Sequence, residues 1–310
     1  MNKTSNLWPS EKRPTRVLLG IVLAIFSVFL FASQDAITKP LVQDLPITTV
    51  LVVRYTAFAV FATILASVTV KGGLRASVQT NNLIGQCFRG LILVSEIFIF
   101  AIGVRHLDLS LMHALFSVFP LVITALAGPV LGERVGVWRW SAVIVGFFGA
   151  LIIIRPGIES QSPYVIVPII AACMYASYII VTRITGRSKD SFQTSLLYLG
   201  VVGWLAVLPF GIMQWQNPNG HQIWLLAFLC FTSIAGHSAL IGALMFASAS
   251  TIQPFNYLLL VFATGIGMVV FGESLQLWTS VGAGIIVASG LFVLLRERLR
   301  ASKQSAKADP

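Results

Sequence analysis

The sequence predicts an all-α membrane protein, with ten transmembrane helices arranged as two inverted-topology repeats of five. Three observations lead there. Only 10% of the 310 residues are charged and 56% are apolar, against roughly 25% charged in a soluble domain. Apolar windows of about 20 residues, long enough to cross roughly 30 Å of hydrocarbon, recur from Val17 to Leu295. A Gly-Glu pair followed by Trp and a further apolar window appears at Gly132-Glu133 and again at Gly272-Glu273.

Polar breaks divide the windows. Span 1 covers 17–38 and runs out at Lys39-Pro40. Because this run is too long for the apolar region of a cleaved signal, it is expected to stay as a span. Span 2 covers 47–70 and stops at Lys71. Span 3, 85–104, ends at Arg105, and span 4, 109–130, follows Asp108 and closes at Gly132-Glu133. Span 5, 137–155, ends at Arg155-Pro156, and span 6, 163–182, at Arg183. Span 7 covers 191–213 and span 8 222–246. Span 9, 253–271, opens on Gln253-Pro254, where a proline's missing N–H costs a helix little. Span 10 covers 277–295. The domain organisation is a tail over 1–16, a first repeat over 17–157, a second over 163–295 and a basic tail over 296–310. The linkers are too short for a soluble domain.

The net charge of +10 is spread over linkers and tails rather than gathered in one patch, which argues for a topology signal and against a nucleic-acid partner. With the N-terminus in the cytoplasm, the inner side receives the basic residues before span 1, those from Lys71 to Arg89, Arg134 and Arg139, those from Arg183 to Lys189, and all those from Arg296 onward. The outer side receives only Lys39, Arg105 and Arg155, and Arg54 falls inside a span. Both termini are therefore expected to be cytoplasmic and the chain to sit in the inner membrane. Cys87, Cys173 and Cys230 lie far apart in or beside apolar segments, so no metal site is expected.

Each repeat unit has five spans, an odd number, so the second enters the membrane from the opposite side, an architecture common among secondary transporters. Ala32-Ser33 and Thr38-Lys39 also align with Ala176-Ser177 and Thr182-Arg183. Small residues recur at every fourth position in spans 5 and 10, at Ala142, Gly146 and Ala150 and at Ser280, Gly284 and Ala288. Such stripes let helix backbones approach, so these two spans are expected to pack tightly.

Gly132-Glu133-Arg134-Val135, leading through Trp138 and Trp140 to Gly149 and Ile154-Arg155-Pro156-Gly157, together with Gly272-Glu273 and the Gly290 region, resembles the EamA branch of the drug/metabolite transporter superfamily. The likeness covers nearly the whole chain and occurs twice. It implies a ten-helix carrier with both ends cytoplasmic. Asp35-Ala36 with Lys39, Gly236-His237, and Ser250 to Tyr257 (STIQPFNY) are similar to a bacterial subgroup that includes riboflavin and S-adenosylmethionine carriers. Many of that subgroup carry an acid before the Tyr, where this chain has Asn256.

Candidate translocation residues are the polar groups within the spans. Arg54 lies about seven residues into span 2, roughly 10 Å deep, where a lone charge costs at least ~2.5 kcal/mol. Asp35, Glu96 and His113 fall at a similar outer-half level, so the four are expected to share a central cavity. Arg54 either pairs with Asp35 or Glu96 as a structural lock or faces an electronegative group of a substrate. Asp35 can also be explained as an interfacial residue, with Lys39 reaching the headgroups. Glu96 is the candidate proton site, because a carboxyl shielded from water can hold a proton at working pH. His237 either lines the inner half of a path or bonds a neighbouring helix. Asn256 and Tyr257 offer hydrogen bonds beside an aromatic face, suited to a flat heterocycle or to packing. The two Gly-Glu pairs are expected to be helix caps, the acid favouring the N-terminus of the following helix.

Neither a Walker-type phosphate loop nor an HExxH or GxSxG motif is present, which argues against ATP hydrolysis and against a membrane-embedded enzyme. The expected function is a secondary transporter of a small organic metabolite, an amino-acid derivative, nucleoside-like compound or vitamin, driven by protons or by exchange. A passive facilitator or channel is the alternative. Expected partners are the substrate, the bilayer and possible coupling protons, with no cofactor; oligomeric state is not legible.

Overall fold

In the computed structural model, residues 14–70, 72–132, 136–155, 162–186, 190–247 and 249–308 are described. The N-terminal basic residues Lys3, Lys12 and Arg13, together with Lys71, Glu133, Arg134, Val135, Pro156, Gly157, Arg187 and Lys189, lie outside them.

Among the described residues, ten helices are long and apolar enough to cross a membrane. They are span 1 (Val17–Asp44), span 2 (Ile47–Thr69), span 3 (Leu83–His106), span 4 (Leu109–Leu131), span 5 (Val137–Ile154), span 6 (Pro163–Thr185), span 7 (Phe192–Met213), span 8 (Gly220–Leu240), span 9 (Pro254–Phe271) and span 10 (Leu277–Arg296). The first helix begins at Pro14 and runs past Lys39-Pro40 to Asp44, longer than its apolar window, and the last continues to Ala308. Large apolar side chains such as Ile64, Phe147, Phe210, Trp224 and Val269 stay exposed, as a lipid-facing surface requires. The chain is a multi-pass membrane protein.

The packing carries the repeat. The most extensive contacts join spans 1 and 8, 5 and 10, 2 and 7, 3 and 6, 1 and 9, 3 and 7, 4 and 6, 2 and 8, and 4 and 9. Exchanging each span for the one five places along turns this set into itself: 1–8 becomes 6–3, 1–9 becomes 6–4, and 3–7 becomes 8–2. The pairs 2–7, 4–9 and 5–10 map onto themselves and lie about the pseudo-two-fold axis.

Spans 5 and 10 do pack together, but the expected stripe holds for only one of them. Ala142, Gly146 and Ala150 are buried, whereas Gly284 and Ala288 face outward. Span 10 instead presents Gly282, Ala283, Ile286 and Ser289, an i, i+1, i+4, i+7 face. A Cβ on Gly149 would lie 2.8 Å from the Gly282 carbonyl oxygen, and one on Gly282 would lie 2.5 Å from that of Gly149. Backbone meets backbone there, beside the repeated small positions rather than on them.

Spans 4 and 9 are broken, and the repeat makes them equivalents. Span 4 divides into Leu109–Phe116 and Phe119–Leu131, because Pro120 cannot donate to the preceding turn. In span 9 a 3-10 segment, Gln253–Tyr257, precedes the helix Leu258–Phe271. Gly132 and Gly272 end their helices in the left-handed conformation, φ 70° and 64°, a cap that glycine makes without a Cβ penalty.

Candidate functional site

A cavity of about 150 Å3 lies between spans 1, 2, 3, 4, 6, 8 and 9. Its wall brings together Arg54, Asp35, Glu96, His113 and His237 with Gln34 and the rings of Phe31, Phe100, Phe116 and Tyr175. Arg54, Asp35, Glu96 and His113, expected to share one cavity, all line this one. His237 stands at the same wall rather than on a separate inner path, and its Nδ1 lies 2.8 Å from the Ser233 carbonyl oxygen, one turn back in its own helix. Phe31 and Phe58 flank its ring at 5.0 and 5.4 Å.

The charges at this wall divide into two kinds. Asp35 Oδ2 lies 3.3 Å from His113 Nε2, out of line for a hydrogen bond, so Nε2 has no bonded partner. The interfacial explanation of Asp35 is therefore replaced: the carboxylate turns inward to the cavity and the imidazole. Arg54 and Glu96 are 9% and 5% exposed, and among the described residues neither has a hydrogen bond or an ion-pair contact. Of the two alternatives for Arg54, an ion pair within 4.0 Å to Asp35 or Glu96 does not occur among the described residues, although Arg54 and Asp35 both act electrostatically on the Glu96 carboxyl.

Asn256 and Tyr257 do not reach this wall. They line an adjoining pocket of only about 20 Å3 together with Ser117, Phe119 and Pro120, so it lies where the two broken spans meet. The Tyr257 ring packs on Gly290, and its hydroxyl has no hydrogen-bond partner. His113, Phe116 and Leu259 border both cavities. A third cavity, about 90 Å3, shares Pro120 and Leu294 with the second and is lined by Arg139 and Arg183. The three spaces form a series from the central site toward the ends of spans 4, 6 and 10.

At the opposite end a polar cluster ties the helices together. Lys39, expected to reach toward the headgroups, is instead buried with its Nζ 2.6 Å from Glu273 Oε1, 3.9 Å from Asp108 Oδ1 and 5.0 Å above the Phe271 ring. Glu273 also accepts from the backbone N–H groups of Leu109 and Ser110 at 2.7 and 3.0 Å and from the Ser110 hydroxyl at 2.9 Å. Burial by itself raises the pKa of Glu273, but the hydrogen bonds from Lys39, Leu109 and Ser110 outweigh it and hold the carboxyl below its usual range. The acid does cap a helix, though that of span 4 rather than the one that follows it in sequence. One side chain thereby ties spans 1, 4 and 9. On the other face, Asp190 accepts from Thr80, Asn81 and Gln86, fastening the 2–3 linker to the 6–7 linker.

The model of the EamA-like transporter family matches residues 18–155 and again 162–295. The chain is 31% identical to the riboflavin transporter of Vibrio cholerae over 84% of this chain and 87% of the relative. It is 25% identical to the S-adenosylmethionine uptake transporter of Rickettsia prowazekii over 72% and 75%. A solved crystal structure of a protein aligns with TM-score 0.60 at 17% identity, covering 93% of this chain and 99% of that one; a likeness at that identity concerns the fold.

Proposed function

This chain belongs to the EamA-like transporter family, and we propose that it carries a flat, ring-bearing metabolite of the flavin or nucleoside kind across the inner membrane by alternating access. It is a secondary transporter of small metabolites rather than an enzyme. The substrate class rests on one observation above the others. A guanidinium and a carboxylate, each more than nine-tenths buried and, among the described residues, each without a hydrogen bond or ion-pair contact, stand at the wall of one cavity that also carries four aromatic rings.

An unpaired charge in a membrane is costly unless water or a ligand solvates it. In this proposal Arg54 binds an electronegative group of the substrate, and Glu96 is the counter-charge and proton site. Asp35 and His113 exchange partners with the substrate, and His237 shapes the aromatic side. Asn256 and Tyr257 border the way out between the broken spans, a use of discontinuous helices common to transporters.

The distribution of basic residues supports cytoplasmic termini, which makes the Lys39–Glu273 end external. In this reading the Lys39–Glu273 cluster is the external gate, and the end of the molecule that carries Arg139 and Arg183 faces the cytoplasm. Outward opening requires spans 1, 4 and 9 to part at Glu273. Uptake and counterflow in proteoliposomes, with labelled riboflavin, S-adenosylmethionine, nucleosides and amino acids and with or without a pH gradient, test the proposal. Accumulation of a ring-bearing solute that responds to the gradient is the expected result. Uptake of none of them, or equilibration without counterflow as in a channel, would overturn it.

A further inference from the structure

Gln34 lies one residue before Asp35 in span 1 and lines the same cavity. It is 5% exposed, and its Oε1 has no hydrogen-bond partner. Its Nε2 reaches only Asp35 Oδ1, at 3.5 Å, the long limit of a hydrogen bond. Thr38, the next polar residue on that helix face, donates to the Gln34 backbone and leaves the amide alone. Among the described residues no group restores the solvation that this buried acceptor and its weakly held donor give up.

The charged groups of the wall recognise charge. A primary amide is planar and presents one acceptor and two donors side by side. Its complement is a ring edge on which an N–H and an acceptor are neighbours, the geometry by which Gln or Asn reads adenine. Flavins present such an edge as an imide, and adenine presents it as an amino group beside a ring nitrogen. The same wall carries Phe31, Phe100 and Phe116, faces on which a flat ring can lie while its edge meets the amide.

We propose that Gln34 determines specificity by pairing with the donor–acceptor edge of a heterocyclic substrate, two hydrogen bonds at once. The inference rests on the heterocycle assignment made above. The same edge is common to flavins and adenine derivatives, so one residue serves either ring, and a substrate whose edge is blocked leaves a buried amide unpaired. A site built around such a hydrogen bond rejects the analogue lacking it far more strongly than an apolar pocket rejects an extra methyl group.

The test measures proteoliposome uptake of riboflavin against N3-methylriboflavin, and of S-adenosylmethionine against its N6,N6-dimethyl form, by wild type and Gln34→Met. Methionine fills similar volume without hydrogen-bonding capacity. Wild type is expected to prefer the unmethylated member of the pair it carries by at least about tenfold. Gln34→Met is expected to bring that preference within about twofold, with membrane level and thermal unfolding unchanged. Gln34→Asn, which keeps the amide one methylene shorter, should retain part of the preference and so separates chemistry from packing. Equal uptake of both members by wild type, or an undiminished preference in Gln34→Met, would overturn the role of Gln34 while leaving the heterocycle assignment standing. Uptake of neither unmethylated compound would remove the assignment and the inference together.

Discussion

Two clusters of buried charge lie one helical turn apart on the same helices. In the outer cluster Lys39 and Glu273 are paired, and Glu273 also receives Leu109, Ser110 and the Ser110 hydroxyl. In the cavity Arg54 and Glu96 have no partners among the described residues, and His113 meets Asp35 without a hydrogen bond. Span 1 supplies Lys39 to one cluster and Asp35 to the other; span 4 supplies Ser110 and His113. The difference separates two uses of charge in a membrane. Satisfied charges fasten helices, whereas unsatisfied ones at a cavity wall are completed by something that comes and goes.

The largest contrast is expected for Arg54→Ala. Transport should fall by at least about 30-fold, as for loss of a charged partner worth roughly 2–5 kcal/mol, while insertion and thermal unfolding stay at wild-type values. Uptake assays on matched membrane levels check both halves. Glu273→Gln should do the reverse first: removing one member of a buried pair costs roughly 3–5 kcal/mol of stability, visible as a lowered unfolding temperature in detergent. A Lys39→Met/Glu273→Gln double variant, which leaves no buried charge uncompensated, is expected to recover a good part of that loss. Glu96→Gln should leave stability unchanged and flatten the dependence of uptake on pH; an unaltered profile would return Glu96 to a structural role.

The smallest effect is the acid dependence of the outer cluster. Glu273 has a depressed pKa in the folded protein, so its stabilisation is present above the unfolded value of about 4.3 and is lost as pH falls through the lower, folded value. Unfolding temperature measured from pH 7 downward should drop on the acid side for wild type and less so for Glu273→Gln. Equal slopes would remove Glu273 from the closure.

Much of this was legible in the residues. The spans follow from hydropathy, and the repeat from Gly132-Glu133 and Gly272-Glu273. The meeting of Arg54, Asp35, Glu96 and His113 follows from depth alone, at about 1.5 Å per residue from each span end. Depth says nothing about direction round a helix. For that reason sequence alone allows an interfacial Asp35 and puts the tight face of span 10 on Ser280 and Gly284, two residues either side of Gly282. Nor does sequence reveal that Lys39 meets an acid 234 positions later, since no local pattern marks such a pair. Gln34 gave a usable signal, an amide in an apolar run beside Asp35, but its unpaired state is a property of packing.

The central claim is that Arg54 is a substrate ligand and the Lys39–Glu273 cluster is not. The most direct measurement is equilibrium binding of riboflavin, followed by quenching of its fluorescence, to purified wild type, Arg54→Ala and Lys39→Met/Glu273→Gln. Binding by wild type and by the double variant, with at least about 30-fold weaker binding by a normally folded Arg54→Ala, is the predicted result. Wild-type affinity in Arg54→Ala, or a variant that fails to fold, would make Arg54 a structural charge and contradict the account.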